Sequence, residues 1–103
     1  MTEGLRGHVD FLLLSVLEDA PAHGYRLVEV LRERSEGTFE LAEGTLYPSL
    51  YRLERRGLVA SSWERVEGRR RRVYRLTRAG TGRLQQQRSE WQAFARAVEA
   101  VTA

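Results

Sequence analysis

Cysteine and lysine are both missing from this 103-residue chain, and each absence narrows what it can be. Without cysteine there are no disulfides and no thiolate metal sites, so an intracellular, cytoplasmic address is the simple expectation. Without lysine, all 17 basic residues are arginine, which reflects base composition as readily as selection for bidentate phosphate contacts. Long apolar runs are missing too. The longest, Phe11 to Leu14, falls far short of the roughly 20 residues that span a bilayer, so no membrane partner is expected. The first ten residues carry Glu3, Arg6 and Asp10 where a secretory leader would place a long apolar segment, so none is expected. With two histidines, no cysteine and no glycine-rich phosphate loop after a strand, enzymatic readings fare badly, and neither cofactor nor metal is expected.

What is present suits a single soluble domain with one modest core: 42% hydrophobic and 30% charged residues. The net charge of +3 is unevenly spread. Between Trp63 and Leu84 eight arginines (65, 69, 70, 71, 72, 75, 78 and 83) meet only Glu64 and Glu67, a local +6, and the remainder sums to -3. Such a block is either a solvated face or the footprint of a polyanion.

Helical periodicity predicts a first helix over about Gly7 to Glu18, with Val9, Leu12, Leu13, Val16 and Leu17 on its apolar face. Asp19-Ala20-Pro21-Ala22 breaks it. A second helix follows from about His23 to Arg34, burying Leu27, Val30 and Leu31 with Tyr25 and Val28 beside them, and Ser35-Glu36-Gly37 ends it. Thr38 to Leu41, β-branched and aromatic, reads as a small third strand. A third helix starts near Glu43 to Thr45 and places Pro48 in its first turn, where a missing N–H costs nothing. Leu46, Leu50 and Leu53 face the core. Thr45, Tyr51, Arg52 and Arg55 lie opposite, with Tyr47 and Glu54 on a flank. Gly57 is a natural stop.

Leu58 to Arg65 and Arg70 to Leu76 read as antiparallel strands around a turn at Val66-Glu67-Gly68-Arg69, with Trp63, Tyr74 and Leu76 packing the hairpin. Thr77 caps a last helix. Its Leu84, Trp91, Phe94, Val98 and Val101 keep a/d spacing, with Gln87 as the one polar break, and such a seam needs something to pack on.

The second and third helices form a helix-turn-helix unit, and the arginine-loaded hairpin is its wing. One helix fits the major groove of B-DNA while a basic wing meets the backbone. Strand alternation always turns some of Arg69, Arg70, Arg71 and Arg72 outward. Gly44, Gly57 and Gly68 are explained by helix and turn ends. The fold class is therefore α+β: residues 1–77 form a winged helix-turn-helix DNA-binding domain and residues 78–103 a C-terminal dimerisation helix.

Three stretches, LLLSVLEDAPAHGYRLVEVL (12 to 31), GTLYPSLYRLERRGLV (44 to 59) and GRRRRVYRLTRAG (68 to 80), make the chain resemble the PadR family of bacterial transcriptional regulators. The resemblance implies a dimeric winged-helix repressor with Thr45, Tyr47 and Arg52 near DNA and the wing arginines on phosphate. It implies backbone contacts from His23 and Tyr25, although Tyr25 serves equally as a core anchor. The single terminal helix looks like the compact branch of the family, where that helix makes the dimer and members sense aromatic or drug-like molecules. Phenolic-acid sensing, a property of long members, does not carry over.

Trp91 reads either as a dimer-interface anchor or as one wall of a site for a planar effector, and the two are compatible. Leu84, Phe94 and Val98 accompany it. The expected partners are double-stranded DNA with an inverted-repeat operator, a second copy of the chain and a planar hydrophobic small molecule. The competing reading is a winged-helix protein–protein interaction module without direct DNA readout, for which the basic wing has no use.

Overall fold

The computed structural model describes residues 8–103. Gly7, Glu3 and Arg6 lie outside the described residues. The elements run α1 (Val9–Asp19), β1 (Ala22–His23), α2 (Gly24–Arg34), α3 (Glu43–Arg55), β2 (Val59–Val66), β3 (Arg69–Leu76) and α4 (Arg78–Thr102). This is the α+β winged helix-turn-helix architecture with a C-terminal helix.

Leucines build the core. Leu13 and Leu14 of α1, Leu27 of α2, Leu46, Leu50 and Leu53 of α3 and Leu84 of α4 are fully buried and meet Val59 of β2. The three α3 leucines come from the predicted stripe. Ser49 is buried among them and stays satisfied by donating its hydroxyl to the Thr45 carbonyl at 2.8 Å. Pro48 is the sixth residue of α3, deeper than the first turn predicted for it. There it withholds the N–H that would bond the Gly44 carbonyl, and helix packing carries the defect.

The sheet has the order β1-β3-β2, all antiparallel. Its third strand is Ala22–His23, paired with Tyr74 and Val73. This corrects the expectation for Thr38–Leu41, which is not a strand. Leu41 is buried and Phe39 packs against the core, so the apolar character of that segment reflects burial, not sheet pairing. The β2–β3 turn is only Glu67-Gly68, both at positive φ (52° and 77°), as a type I′ hairpin turn requires.

Two caps fix the ends of the wing. Gly57 (φ 76°) donates to the Glu54 carbonyl at 3.0 Å and Leu58 to Leu53 at 2.9 Å, the paired bonds of a Schellman motif that stops α3. Thr77 accepts from the Gly80 N–H at 3.0 Å and donates to the Gly57 carbonyl at 2.7 Å, so one hydroxyl joins the start of α4 to the end of α3.

Candidate nucleic-acid interface

On α3 the exposed ridge consists of Tyr47, Tyr51 and Arg55, four residues apart, so that they stack along one face. The Arg55 guanidinium lies 5.8 Å from the Tyr51 ring. Thr45 and Arg52 lie on the flank turned towards α1. Thr45 is half-buried, and Arg52 donates to Asp10 at 3.0 Å and to the Ser49 hydroxyl at 3.3 Å. Both residues line a cleft of about 470 Å³ between α1, α3 and α4. Arg52 thus starts from a bonded position on α1, an arrangement that spacing along α3 alone does not reveal.

The wing divides its arginines by strand alternation. Trp63 pairs with Arg72 and Arg65 with Arg70, while Glu64 pairs with Arg71 and Val66 with Arg69, so Arg70 and Arg72 share one face and Arg69 and Arg71 the other. Arg72 is held: it donates to the Ser61 hydroxyl at 2.9 Å and lies 3.6 Å from Glu54, linking wing to α3. Arg75 is held as well, by Ser62 and Glu64. Those same two groups, Ser62 first and then Arg75, pull the Glu64 carboxyl below its ordinary range. Arg69, Arg70 and Arg71 pair with no carboxylate among the described residues. Their charges are therefore not neutralised by any carboxylate among the described residues.

Where wing and helix-turn-helix meet, His23, Gly24, Tyr25, Tyr47, Trp63, Arg70 and their neighbours line a second cleft of about 340 Å³. His23 is the N-cap of α2, accepting the Arg26 N–H at Nδ1 (3.3 Å). Burial, and after it the charge of Arg71, hold its imidazole below the ordinary value. Tyr25 is 61% exposed and stacks on His23, which removes it from the predicted buried stripe and from the core-anchor reading. Trp63, expected to pack the hairpin, is also exposed, whereas its neighbour on that face, Tyr74, is buried. Burial raises the Tyr74 pKa, so the phenol stays neutral. The cleft thus combines a helix N-terminus, unpaired guanidinium groups and aromatic faces, the chemistry of a phosphate-backbone contact.

The terminal helix carries a different surface. Leu84, read with the exposed seam, is fully buried in the chain's own core. Beyond it Trp91, Phe94, Val98 and Val101 are exposed. The Trp91 and His8 rings meet in a T-shaped contact with centroids 5.5 Å apart, Trp91 lies 5.9 Å from Phe94, and with Phe11, Gln87 and Glu90 these residues line a groove of about 420 Å³. Arg88 braces α4 on α1 through Glu18 at 2.8 Å. No group of three metal-ligating side chains occurs among the described residues, and no helix there is long and apolar enough to cross a membrane.

Tyr51, Arg55, Trp63, Gly24 and Asp10 are among the members of these surfaces that the sequence did not single out as site residues. Tyr51 and Arg55 lie opposite the buried leucines of α3, as the helical period requires. Nothing in the sequence signalled Asp10 or Gly24, since both act through contacts distant along the chain.

Comparison with known proteins gives this geometry its context. The family model of the transcriptional regulator PadR-like family matches residues 13–86, which include the helix-turn-helix, the wing and the start of α4. Transcriptional regulator Rv3488 of Mycobacterium tuberculosis is 40% identical over 98 residues, covering 95% of this chain and 89% of that protein. A transcriptional regulator from Clostridium thermocellum superposes with a TM-score of 0.86 at 30% identity, covering 95% of this chain and 96% of the other. A PadR family regulator from Clostridium difficile gives 0.83 at 30% identity, covering 94% and 100%. With the helix-turn-helix, the basic wing and these similarities together, the chain belongs to the PadR-like family of transcriptional regulators, DNA-binding proteins and not enzymes.

Proposed function

We propose that the protein is a cytoplasmic, homodimeric repressor that grips an inverted-repeat operator and leaves it when a planar, apolar small molecule binds between the two copies. The observation that carries this reading is the aromatic and aliphatic ridge on α4. Its 25 residues extend about 37 Å, and Trp91, Phe94, Val98 and Val101 lie exposed along the half beyond Leu84. A ridge of that kind is covered most simply by its own copy across a two-fold axis. In this reading residues 78–103 form the dimerisation helix and residues 1–77 the DNA-binding domain.

A two-fold dimer presents two α3 helices about one DNA turn apart, which fits an inverted repeat. Tyr47, Tyr51 and Arg55 face the groove and Thr45 and Arg52 reach the DNA from the flank beside α1; Arg69, Arg70 and Arg71, with His23 and Tyr25, meet phosphates. The groove of about 420 Å³ beside Trp91 is of the size that takes small molecules, and an aromatic face suits a flat, cationic ligand. The ligand moves the equilibrium between dimer states only by its differential affinity for them.

Two measurements test the reading. Deleting the residues after Gln86 is expected to yield a monomer with poor operator affinity, and a truncated chain that still sediments as a dimer overturns the α4 interface. Titrating planar dyes into a Trp63→Phe background is expected to quench Trp91 and release operator DNA. Absent quenching removes the sensing role and leaves Trp91 as an interface anchor.

A further inference from the structure

Trp63 is a large aromatic side chain that belongs neither to the core nor to the α4 ridge. It lies in the middle of β2, 54% exposed, on the hairpin face that also carries Arg70 and Arg72. Arg72 is its direct cross-strand partner and Arg70 its diagonal one, the two positions from which long side chains reach a ring. Both reach it. The Arg70 guanidinium lies 5.1 Å and that of Arg72 5.7 Å from the ring centroid. An indole face is the best aromatic acceptor for such cations.

The two arginines differ in what else holds them. Arg72 has Ser61 and Glu54. Arg70 has no carboxylate among the described residues, so the indole ring is its anchor. Two guanidinium groups on alternate residues of one strand repel each other, and an unanchored Arg70 would swing away from its neighbour. Ordering a free arginine on DNA costs side-chain entropy, which a platform formed before binding lowers. The cleft that contains Trp63 also contains His23, Tyr25 and Tyr47, so the platform adjoins the surface assigned to the DNA backbone.

We infer that Trp63 is a positioning residue of the wing: its ring holds Arg70 beside the braced Arg72, in the position from which Arg70 meets the DNA strand. The inference rests on the proposal that this face binds DNA. Arg72 keeps Ser61 and Glu54 without the ring, so Trp63 acts through Arg70 and its effect must disappear when Arg70 is gone.

The test is a double-mutant cycle on operator affinity at several salt concentrations, with wild type, Trp63→Ala, Arg70→Ala and the double variant. Trp63→Ala is expected to weaken binding about fivefold, and the double variant is expected to bind about as well as Arg70→Ala alone. Should Trp63→Ala fail to fold, Trp63→Phe against Trp63→Leu replaces it: both keep apolar bulk, and Phe, which alone keeps a ring face, is expected to bind operator more tightly than Leu. Full additivity in the cycle, equal affinity of the Phe and Leu variants, or wild-type affinity of Trp63→Ala overturns the inference while wild type still binds. A wild-type chain that binds no DNA overturns the DNA-binding reading itself, and this inference with it.

Discussion

Gly24 and Tyr47 are packed so closely that a β-carbon at Gly24 would lie 2.7 Å from the Tyr47 hydroxyl oxygen and 3.0 Å from two ring carbons. The first residue of α2 is therefore a seat for the ridge of α3. Gly24→Ala gains helix propensity at that position, up to roughly 1 kcal/mol, and must displace the tyrosine to do so. Stability is expected to stay within about 1 kcal/mol of wild type while operator affinity falls about tenfold, the scale of one lost base contact. Calorimetry and a binding titration on the same sample separate the two. Wild-type affinity would mean that Tyr47 does not touch DNA.

Gly80 and Gly82 belong to the same turn of α4 and are expected to respond in opposite directions. A β-carbon at Gly80 would drive into the Leu58 carbonyl oxygen and the Leu76 side chain, whereas at Gly82 it meets nothing within 4 Å. Gly82→Ala is expected to stabilise by about 0.5–1 kcal/mol through helix propensity. Gly80→Ala is expected to cost about 3 kcal/mol, at the upper end for overpacking, because backbone cannot move aside as a side chain can. Urea unfolding midpoints decide it, and similar midpoints for the two variants would contradict the seating of α4 on Leu58.

Salt dependence separates the available wing arginines from the held ones. Each phosphate contact contributes about 0.9 to the slope of log affinity against log salt, so Arg70→Ala with Arg71→Ala is expected to make it shallower by about 1.8. Arg75→Ala, whose guanidinium is already bonded to Glu64 at 2.6 Å, is expected to leave it unchanged. A slope that responds equally to both would place the phosphate contacts elsewhere.

Asp10 restrains Arg52, and freeing the arginine is expected to show on DNA before it shows on stability. The pair is largely solvent-exposed on the arginine side, so Asp10→Asn is expected to cost at most about 1 kcal/mol of folding free energy. Affinity for random DNA is expected to rise about threefold as one positive charge is released. Arg52→Ala and Thr45→Ala are expected to flatten the preference for operator over random DNA instead. An Asp10→Asn variant with unaltered affinity would show that Arg52 leaves Asp10 at no cost.

Local rules explain what was legible in the sequence. Gly57 and Thr77 were readable as caps because capping depends on adjacent residues, and Leu46, Leu50 and Leu53 because burial repeats with the helix. The third strand was misplaced for the same reason. Ala22-His23 is too short to show alternation, and it becomes a strand only because β3 runs beside it, while Thr38–Leu41 carries strand-like residues of which Leu41 is buried and Phe39 partly buried, without a pairing edge. Trp63 and Tyr25 misled because aromatic residues read as core, and the arginines and histidine that they stack on are across a strand or just before the helix. The Asp10–Arg52 bond joins residues 42 apart, beyond any periodic signal.

His23 gives the fold a pH dependence of defined sign. Burial comes first and the positive charge of Arg71 second in lowering its pKa; Arg26 adds to this, and Glu67 and Glu29 oppose it. The native state therefore favours the neutral ring, whose Nδ1 accepts the Arg26 N–H as the cap of α2. The unfolded chain takes up its proton near the ordinary value of 6.5, while the folded chain resists down to a lower one. In that window the unfolded state carries more protons, so stability rises with pH. The contribution is fully present above the ordinary value and is lost as pH falls from there through the native value. His23→Asn keeps a capping side chain and cannot titrate. Its melting temperature is expected to fall less than that of wild type between pH 7.5 and 5.5. On DNA the sign reverses, because a nearby phosphate favours the charged ring, and wild-type operator affinity is expected to gain more than that of His23→Asn on acidification. Parallel pH profiles for the two chains, in stability and in affinity alike, would remove His23 from both roles.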